Sequence, residues 1–274
     1  MNRRILFVCV FILPICQEIY ASPVTRQKTA VLIVGQDATD KAEELLDHLA
    51  ELFIANQITP KKFYFPNADW TSIKKAAAST DFFIYCGHGF SNGGLTGEFG
   101  GMYINEFVTA QKIATELTFT HKPVIIYQQA CGSAGSSAGD PDDIGIKTAR
   151  KRISDTATPF FISGAGAYFA SNWLGGSYSF LKHFLAGKSI YECFVNNIEW
   201  EDIVLNAPFT NIPEIKGLNI GIAGSGSGRN ISITYVNGVK YKTITESNPR
   251  KRQYNTAFIG PQDFVFADIE KNPN

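Results

Sequence analysis

Short apolar runs alternate with amphipathic segments through most of this chain. The runs are rich in β-branched and aromatic residues, which is typical of strands buried on both faces of a parallel sheet. They cover residues 30–35, 62–66, 81–87, 123–130 and 158–170. The amphipathic segments repeat apolar positions at helical spacing and predict helices over residues 40–54, 69–78, 107–117 and 179–195. This alternation predicts one open, mostly parallel α/β sheet with helices on both faces. A glycine-rich excursion over residues 93–103 predicts a hairpin.

After residue 200 the pattern becomes β-rich. Alternating apolar and polar positions around Asn237-Gly238 predict a hairpin over residues 231–242, and residues 264–266 predict a last strand. We interpret the Gly/Ser-rich residues 224–228 as a linker. About 70 residues are marginal for an independent core. We therefore divide the chain into an α/β domain over residues 22–200 and a β-rich extension over residues 201–274, and leave open whether the last strand returns to the main sheet.

The N-terminus has the residue order of a secretory signal peptide. Arginines at positions 3 and 4 precede an apolar run over residues 5–15, and small residues follow near Ala21. We predict that residues 1–21 are removed and that the mature protein is secreted or periplasmic. A lipoprotein acylated at Cys16 is disfavoured, because Ile15 is bulky where such signals carry a small residue. No other run reaches the ~18 apolar residues of a transmembrane helix, so we expect no stable membrane insertion.

Charge and cysteine content narrow the possible partners. The 274 residues carry 25 basic and 25 acidic side chains, for a formal net charge of zero. We therefore expect no nucleic acid partner, because such partners require a basic surface. The five cysteines include no CxxC pair, and we predict neither a metal site nor a cofactor. Removal of the signal peptide leaves Cys86, Cys131 and Cys193, and an odd number leaves at least one thiol unpaired within the chain.

The candidate chemistry lies at the ends of the third and fourth predicted strands. His88 stands between two glycines at the end of the third strand, and Cys131 precedes a glycine at the end of the fourth. Ligand sites form at the carboxyl edge of open parallel sheets, and consecutive strands are often neighbours. We therefore expect His88 and Cys131 side by side, where an imidazole can stabilise a thiolate and later protonate a leaving amine. Because glycine has no Cβ, backbone N–H groups near Gly89 and Cys131 can bind a substrate carbonyl as an oxyanion site.

Each of these residues also has an ordinary structural interpretation. A cysteine at a strand end is often a small core residue, and a histidine beside a glycine turn is often only a turn residue. Their joint placement at two strand ends favours the catalytic interpretation. We expect Cys86 and Cys193 in the core, and we interpret three further histidines as structural or exposed: His48, His121 and His183.

These motifs, in this order, resemble the caspase-like superfamily of cysteine peptidases, which includes caspases, legumains, gingipains, clostripain-like enzymes and CHAT domains. Gly87-His88-Gly89 and Gln129-Ala130-Cys131 match its two signature boxes. Residues 164–173 and then 180–189 are similar to the strand, Ser-x-Trp turn and helix of gingipain-like and CHAT members. The resemblance covers roughly residues 30–195 and implies a caspase-like fold.

The resemblance implies a Cys-His dyad, with Cys131 as the nucleophile and His88 as its partner. It also implies an oxyanion site formed by the backbone N–H groups of Gly89 and Cys131. The residues that it implies for substrate binding are Gln129 in the P1 pocket and Ser171, Asn172 and Trp173 beside the substrate strand.

The sequence departs from the superfamily pattern at two places that set specificity. Leu174 follows Trp173 where Asp-specific caspases have an arginine. Gln129 stands where clostripain-like enzymes place an acidic residue for basic P1 side chains. The resemblance therefore implies neither Asp nor Arg specificity.

Three loop features have competing interpretations. Residues 132–139 form either a phosphate cradle or, because they lack a Lys-Ser/Thr ending, a flexible active-site loop. Asp140, Asp142 and Asp143 either bind calcium or a basic P1 side chain, or belong to a solvated loop. The basic cluster of Arg150, Lys151 and Arg152 is either a self-processing site or a plain helix surface.

The sequence thus predicts an exported cysteine endopeptidase that hydrolyses protein or peptide substrates through a Cys131 thioester. The alternative is a caspase-like fold that serves as a catalytically silent binding or effector module. A hydrolase of the glutamine amidotransferase type is disfavoured, because those enzymes place the nucleophile before the histidine, whereas His88 precedes Cys131 here.

Overall fold

The computed structural model describes residues 26–39, 41–140, 143–199, 201–236 and 239–270, with side chains described except over residues 227–251. The predicted signal peptide and the Asn237-Gly238 turn lie outside the described residues. Within the described part of the chain, no helix is long and apolar enough to cross a bilayer.

Strands and helices alternate along the first two thirds of the described chain. The strands are β1 Lys28–Val34, β2 Ile58–Tyr64, β3 Phe82–Cys86, β4 Met102–Tyr103, β5 Phe107–Val108, β6 Val124–Gln128, β7 Ala167–Ser171, β8 Asp202–Pro208, β9 Asn219–Val236 and β10 Val239–Gly260. The α-helices are α1 Ala42–Ala55, α2 Trp70–Ala77, α3 Ala110–Glu116, α4 Gly145–Ile162, α5 Gly176–Leu185 and α6 Ile190–Asn197. A 3₁₀ helix covers Phe266–Glu270.

Eight strands form one sheet in the order β2-β1-β3-β6-β7-β10-β9-β8. The first five in this order are parallel, whereas β10 runs antiparallel to both β7 and β9. The predicted α/β class with a large, mostly parallel sheet is confirmed. Thr256 of β10 pairs with Ser171, the last residue of β7. Beyond this point β9 and β10 stay paired as far as Val236 and Val239, so the pair projects past the edge at which β7 ends.

Helices cover both faces of the sheet and give the protein two core layers. Helices α2, α3 and α4 pack on one face, and α1, α5 and α6 pack on the other. Every residue of β3 and β6 is buried, which explains why their sequences are apolar without alternation. Fully buried helix residues include Ile73, Ile113 and Ile153 on the first face and Leu46, Phe180 and Phe194 on the second.

The predicted fifth strand, residues 158–170, is wrong in its first half. Residues 158–162 are the end of α4, and β7 begins only at Ala167. Gly164 follows the helix end with a φ of 104°, which favours glycine. A buried helix end and a buried strand, joined by a short turn, read as one apolar run, so periodicity did not separate them. The rest of α4 was not predicted.

The predicted helix over residues 179–195 is two helices. Gly187, with a φ of 86°, lies between α5 and α6. Ser189 and Glu192 then form a capping box that starts α6. This start signal was present in the sequence, but the apolar spacing continues across the break.

Three predictions of β-structure and loops are wrong in detail. Residues 224–228 are not a linker but part of β9, where a Cβ at Gly224 would lie 2.4 Å from the Gln253 carbonyl oxygen. Such glycines mark a close approach of two backbones. Residues 264–266 are not a strand and lead into the 3₁₀ helix. The hairpin predicted over residues 93–103 is displaced, because β4 pairs with β5.

Candidate active site

The ends of β3 and β6 lie beside each other at the carboxyl edge of the sheet. These strands are parallel neighbours, with Cys86 in register with Gln128. His88 and Cys131 follow them, and their loops touch, since a Cβ built at Gly89 would lie 2.4 Å from the Cys131 carbonyl oxygen. The structure therefore brings the loops that carry the two residues into direct backbone contact.

The imidazole of His88 is exposed, and one of its two ring nitrogens is hydrogen-bonded within the protein. Its Nε2 lies 2.7 Å from the carbonyl oxygen of Asp37, in the loop after β1. Because a carbonyl only accepts, Nε2 donates its hydrogen, and the neutral ring keeps its lone pair on Nδ1. The Tyr85 hydroxyl donates to the His88 carbonyl at 2.7 Å, so ring and backbone are both fixed. Sequence reasoning missed Asp37, because a contact through a backbone carbonyl has no residue signature.

Cys131 differs from the other two described cysteines in its exposure. All three are free, but Cys86 and Cys193 are buried, whereas Cys131 is only half-buried. The expectation that Cys86 and Cys193 are core residues is confirmed. Burial raises the pKa of each of these two thiols to about 12, so neither offers a thiolate at neutral pH. Cys131 lies at a sharp turn, between Gln129 with a φ of 57° and Gly132 with a φ of 77°.

Two backbone donors lie beside the Cys131 thiol. Among the described residues, no hydrogen bond uses the N–H of Gly89 or of Cys131. The Cβ position of Gly89 is 3.4 Å from the Cys131 nitrogen, and two donors this close can bind one carbonyl oxygen. Within the ranges that the structure describes, no hydrogen bond joins the His88 ring to the Cys131 thiol. Such contacts are often long in enzymes without ligand.

The segment of Ser171, Asn172 and Trp173, called here the 171–173 segment, leaves β7 at the same edge. Its backbone is already largely bonded: the Asn172 N–H donates to the Asn255 carbonyl at 2.8 Å. The Trp173 N–H donates to Ser171 Oγ at 3.1 Å, and its carbonyl accepts from Gln128 Nε2 at 2.6 Å. Within the described part of the chain, the Asn172 carbonyl accepts no hydrogen bond. A peptide that pairs here would use that carbonyl and would replace Ser171 Oγ at the Trp173 N–H.

Gln129 connects the 171–173 segment to the loop after β1. Its N–H donates to the Ser171 carbonyl at 2.8 Å, and its Oε1 accepts from the Thr39 hydroxyl at 3.2 Å. A cavity of about 200 Å³ opens at Thr39. Asp37 and Glu43 contribute carboxylates to its lining, and the described lining contains no cationic side chain.

Helix α4, which was not predicted, holds the loop that follows β6. One guanidinium nitrogen of Arg152 donates to the Asp140 carboxylate at 2.8 Å and to the Gly135 carbonyl at 3.3 Å. The guanidinium carbon also lies 4.8 Å from the ring centre of Phe99. Phe99 in turn occupies the space beside Gly132, where a Cβ would lie 2.2 Å from it. Arg152 therefore links the glycine-rich loop after β3 to the loop that carries Cys131.

The structure also places the other charged loop residues. The basic cluster of Arg150, Lys151 and Arg152 lies within α4, so cleavage there requires the helix to unwind. Asp143 accepts from the Tyr254 hydroxyl at 3.1 Å, and Asp142 lies outside the described residues. In the described ranges, no three His, Cys, Asp or Glu side chains converge into a metal site.

No family model matches the chain, and no curated protein matches it. Support for a function therefore comes from the groups at the carboxyl edge of the sheet.

Proposed function

We propose that this protein is an exported cysteine endopeptidase of caspase-like fold, with Cys131 as the nucleophile and His88 as its acid-base partner. The observation that carries the proposal is the backbone contact between Gly89 and Cys131. Through this contact an exposed imidazole, a half-buried free thiol and two unpaired N–H groups meet at one sheet edge. The parallel strands before both loops and the helices on both faces agree with the superfamily resemblance.

In the proposed reaction, the Cys131 thiol gives its proton to His88 Nδ1 and attacks the carbonyl carbon of the peptide bond. The oxyanion accepts hydrogen bonds from the N–H groups of Gly89 and Cys131. The imidazolium then protonates the leaving amine, the C–N bond breaks, and a thioester remains on Cys131. His88 next deprotonates a water molecule, which hydrolyses the thioester and restores the thiol. The Asp37 carbonyl holds Nε2 throughout, so the ring presents Nδ1 in every step.

The substrate chain lies along the 171–173 segment, with the Asn172 carbonyl as its free acceptor. The side chain before the scissile bond enters the cavity at Thr39. Asp37 and Glu43 line that cavity without a cation among the described lining residues, so an acidic side chain would meet repulsion there. We expect cleavage after neutral or basic residues in preference to acidic ones.

A peptide library assayed with matched variants tests the proposal. We expect hydrolysis by the wild type and a loss of at least about 10³-fold in kcat/KM for Cys131→Ala and His88→Ala. Cys193→Ala removes a buried thiol within α6 and should keep wild-type kinetics. Continued cleavage by Cys131→Ala would overturn the assignment of the nucleophile.

Two observations favour the silent binding module as the alternative. The ring and the thiol share no hydrogen bond, and most backbone groups of the 171–173 segment are bonded within the chain. A silent module predicts no turnover anywhere in the library and peptide binding that survives Cys131→Ala. Turnover that is lost in Cys131→Ala excludes it.

A further inference from the structure

A buried cluster of polar side chains lies beside the 171–173 segment. The Glu201 cluster consists of Glu201, which directly precedes β8, Asn255 and Thr256 of β10, and Trp173. Glu201 is only 4% exposed, and among the described residues neither of its carboxyl oxygens has a hydrogen-bond partner. Asn255 Nδ2 and Thr256 Oγ1 are also buried without a partner. Buried polar atoms without partners are costly and few in folded proteins, so four of them in one cluster need a physical cause.

Uncharged donors face the Glu201 carboxyl. Burial raises its pKa to about 7, and the side chains of Thr256, Trp173 and Asn255 oppose that rise. The indole N–H is the only donor that a tryptophan side chain has, so it is the group through which Trp173 lowers the pKa of the carboxyl. These three side chains can donate hydrogen bonds to an ionised Glu201 carboxylate, although none of them is at normal hydrogen-bond distance and angle in the structure.

Charged neighbours do not dominate the state of this carboxyl. The leading influences on its pKa are burial and the three uncharged side chains. The neighbouring titratable residues along the chain are Glu199 and Asp202, and β10 carries Arg252 three residues before Asn255. None of the three is among these leading influences. The charge of Glu201 is therefore governed mainly by burial and by these donors.

Trp173 and Asn255 join the cluster to the candidate active site. The Asn255 carbonyl accepts the Asn172 N–H, and the Trp173 backbone belongs to the 171–173 segment. Trp173 is 42% exposed, so it meets solvent at the surface, while its side chain also acts on the pKa of the buried Glu201 carboxyl. A change at that carboxyl therefore acts on the surface along which the proposed substrate lies.

We propose that Glu201 is a positioning residue: its carboxylate fixes the Trp173 indole for substrate binding by accepting the indole N–H, and its protonation releases the ring. The unpaired donors of Asn255 and Thr256 complete the set that the ionised carboxylate accepts. The effect on substrate rests on the proposed function, but the coupling between Glu201 and Trp173 does not.

The expected kinetic effect falls on KM. With a pKa of about 7, the ionised fraction of Glu201 drops from roughly nine tenths at pH 8 to roughly one tenth at pH 6. If only the ionised form binds substrate, KM rises about tenfold over this range. The ionisation of Glu201 should leave kcat unchanged, since the residue does not touch the reacting atoms.

Tryptophan fluorescence tests the coupling without any substrate. The chain has three tryptophans, so the signal of Trp173 is obtained as the difference between wild type and Trp173→Phe. We expect this difference to titrate near pH 7 and to become flat in Glu201→Gln. The control Glu214→Gln changes an exposed carboxylate and should keep the titration. In parallel, KM should depend on pH in the wild type and lose that dependence in Glu201→Gln.

The outcomes separate the two proposals. A Trp173 titration that persists in Glu201→Gln, or that is missing in the wild type, overturns the positioning role. If the Trp173 fluorescence titration is lost in Glu201→Gln, the coupling between the two residues is supported. If the wild type at the same time cleaves no peptide, only the proposed peptidase function is contradicted. If Glu201→Gln does not fold, Thr256→Val replaces it. That variant removes a donor that lowers the Glu201 pKa, so the midpoint should move to higher pH, and an unchanged midpoint contradicts the proposal.

Discussion

Cys86, Cys131 and Cys193 have the same side chain in different surroundings. Cys86 and Cys193 belong to the core on one face of the sheet, and burial holds their pKa near 12. Cys131 lies outside the core, at a turn between two residues with positive φ. Among these three described thiols, Cys131 is therefore the one that solvent reagents can reach.

Alkylation of the native protein should report this difference. We expect iodoacetamide at neutral pH to modify Cys131 first in protein lacking residues 1–21, because the other two thiols are buried and protonated. Mass spectrometry of the digested protein gives the site. Cys131→Ala should remain unmodified over the same time, and all three thiols should react after denaturation. Equally fast labelling of Cys193 in the folded protein would contradict the prediction.

Gly89 is the residue at which the two loops meet. A side chain there would collide with the Cys131 carbonyl oxygen, which is a backbone atom and cannot move aside alone. We expect Gly89→Ala to lower kcat/KM at least about tenfold by separating the imidazole from the thiol. Gly139→Ala is the matched control, because nothing lies within 4 Å of its Cβ position. Equal activity of the two variants would mean that the contact does not matter for catalysis.

Helix α4 is the element that organises the loops around the site. Besides the contacts of Arg152, its Asp155 accepts from the Thr96 hydroxyl at 2.7 Å, and its Thr156 hydroxyl donates to the Phe99 carbonyl at 3.3 Å. Both partners belong to the loop after β3. The helix therefore fixes two loops that have no regular secondary structure where they touch it.

Two arginine-to-lysine substitutions test whether Arg152 holds the loops through its planar group or only through its positive charge. Arg152→Lys keeps the positive charge but loses the planar group that contacts Asp140 and lies over Phe99. We expect it to destabilise the fold by about 2 kcal/mol and to reduce kcat/KM. Arg150→Lys, two residues earlier on the same helix, should change the stability and kcat/KM little. Urea unfolding and steady-state kinetics measure the two effects, and similar results for both variants would contradict them.

The elements differ in how well the sequence could predict them, for physical reasons. Strands β3 and β6 are apolar on both faces and end in glycine-flanked motifs, so their position and their shared edge followed from pattern and topology. Helix α4 packs its C-terminal half against other elements on nearly all sides, and that half loses the polar face by which helices are recognised. Asp37 acts through a backbone carbonyl, and the partners of Arg152 lie in loops distant in sequence. No local pattern encodes those contacts.

For the whole molecule, Glu201 makes stability depend on pH. Its pKa is about 7 in the folded protein against an ordinary value of 4.5, so the folded state binds more protons than the unfolded state between these values. Folding stability contributed by this group is therefore full below about pH 4.5 and is lost as the pH rises to about 7. Glu201→Gln mimics the protonated form, and we expect it to be more stable than wild type at pH 8 by up to about 3 kcal/mol.

Urea unfolding at several pH values measures this difference. The gain in Glu201→Gln should shrink toward zero near pH 4.5, whereas the exposed control Glu214→Gln should match the wild type throughout. A gain of the same size at every pH would show that it does not arise from the ionisation of Glu201.

The position of β10 has a consequence for the order of synthesis. This strand, the last of the sheet along the chain, is inserted between β7 and β9. Its Tyr254 exchanges hydrogen bonds with Ser136 in the Cys131 loop, and its Asn255 holds Asn172. An emerging chain can pair the five parallel strands early, yet these contacts must wait until β10 has been made. A nascent chain would thus carry its thiol and imidazole well before the strand that holds Ser136 and Asn172, which delays any proteolytic activity until β10 has been synthesised.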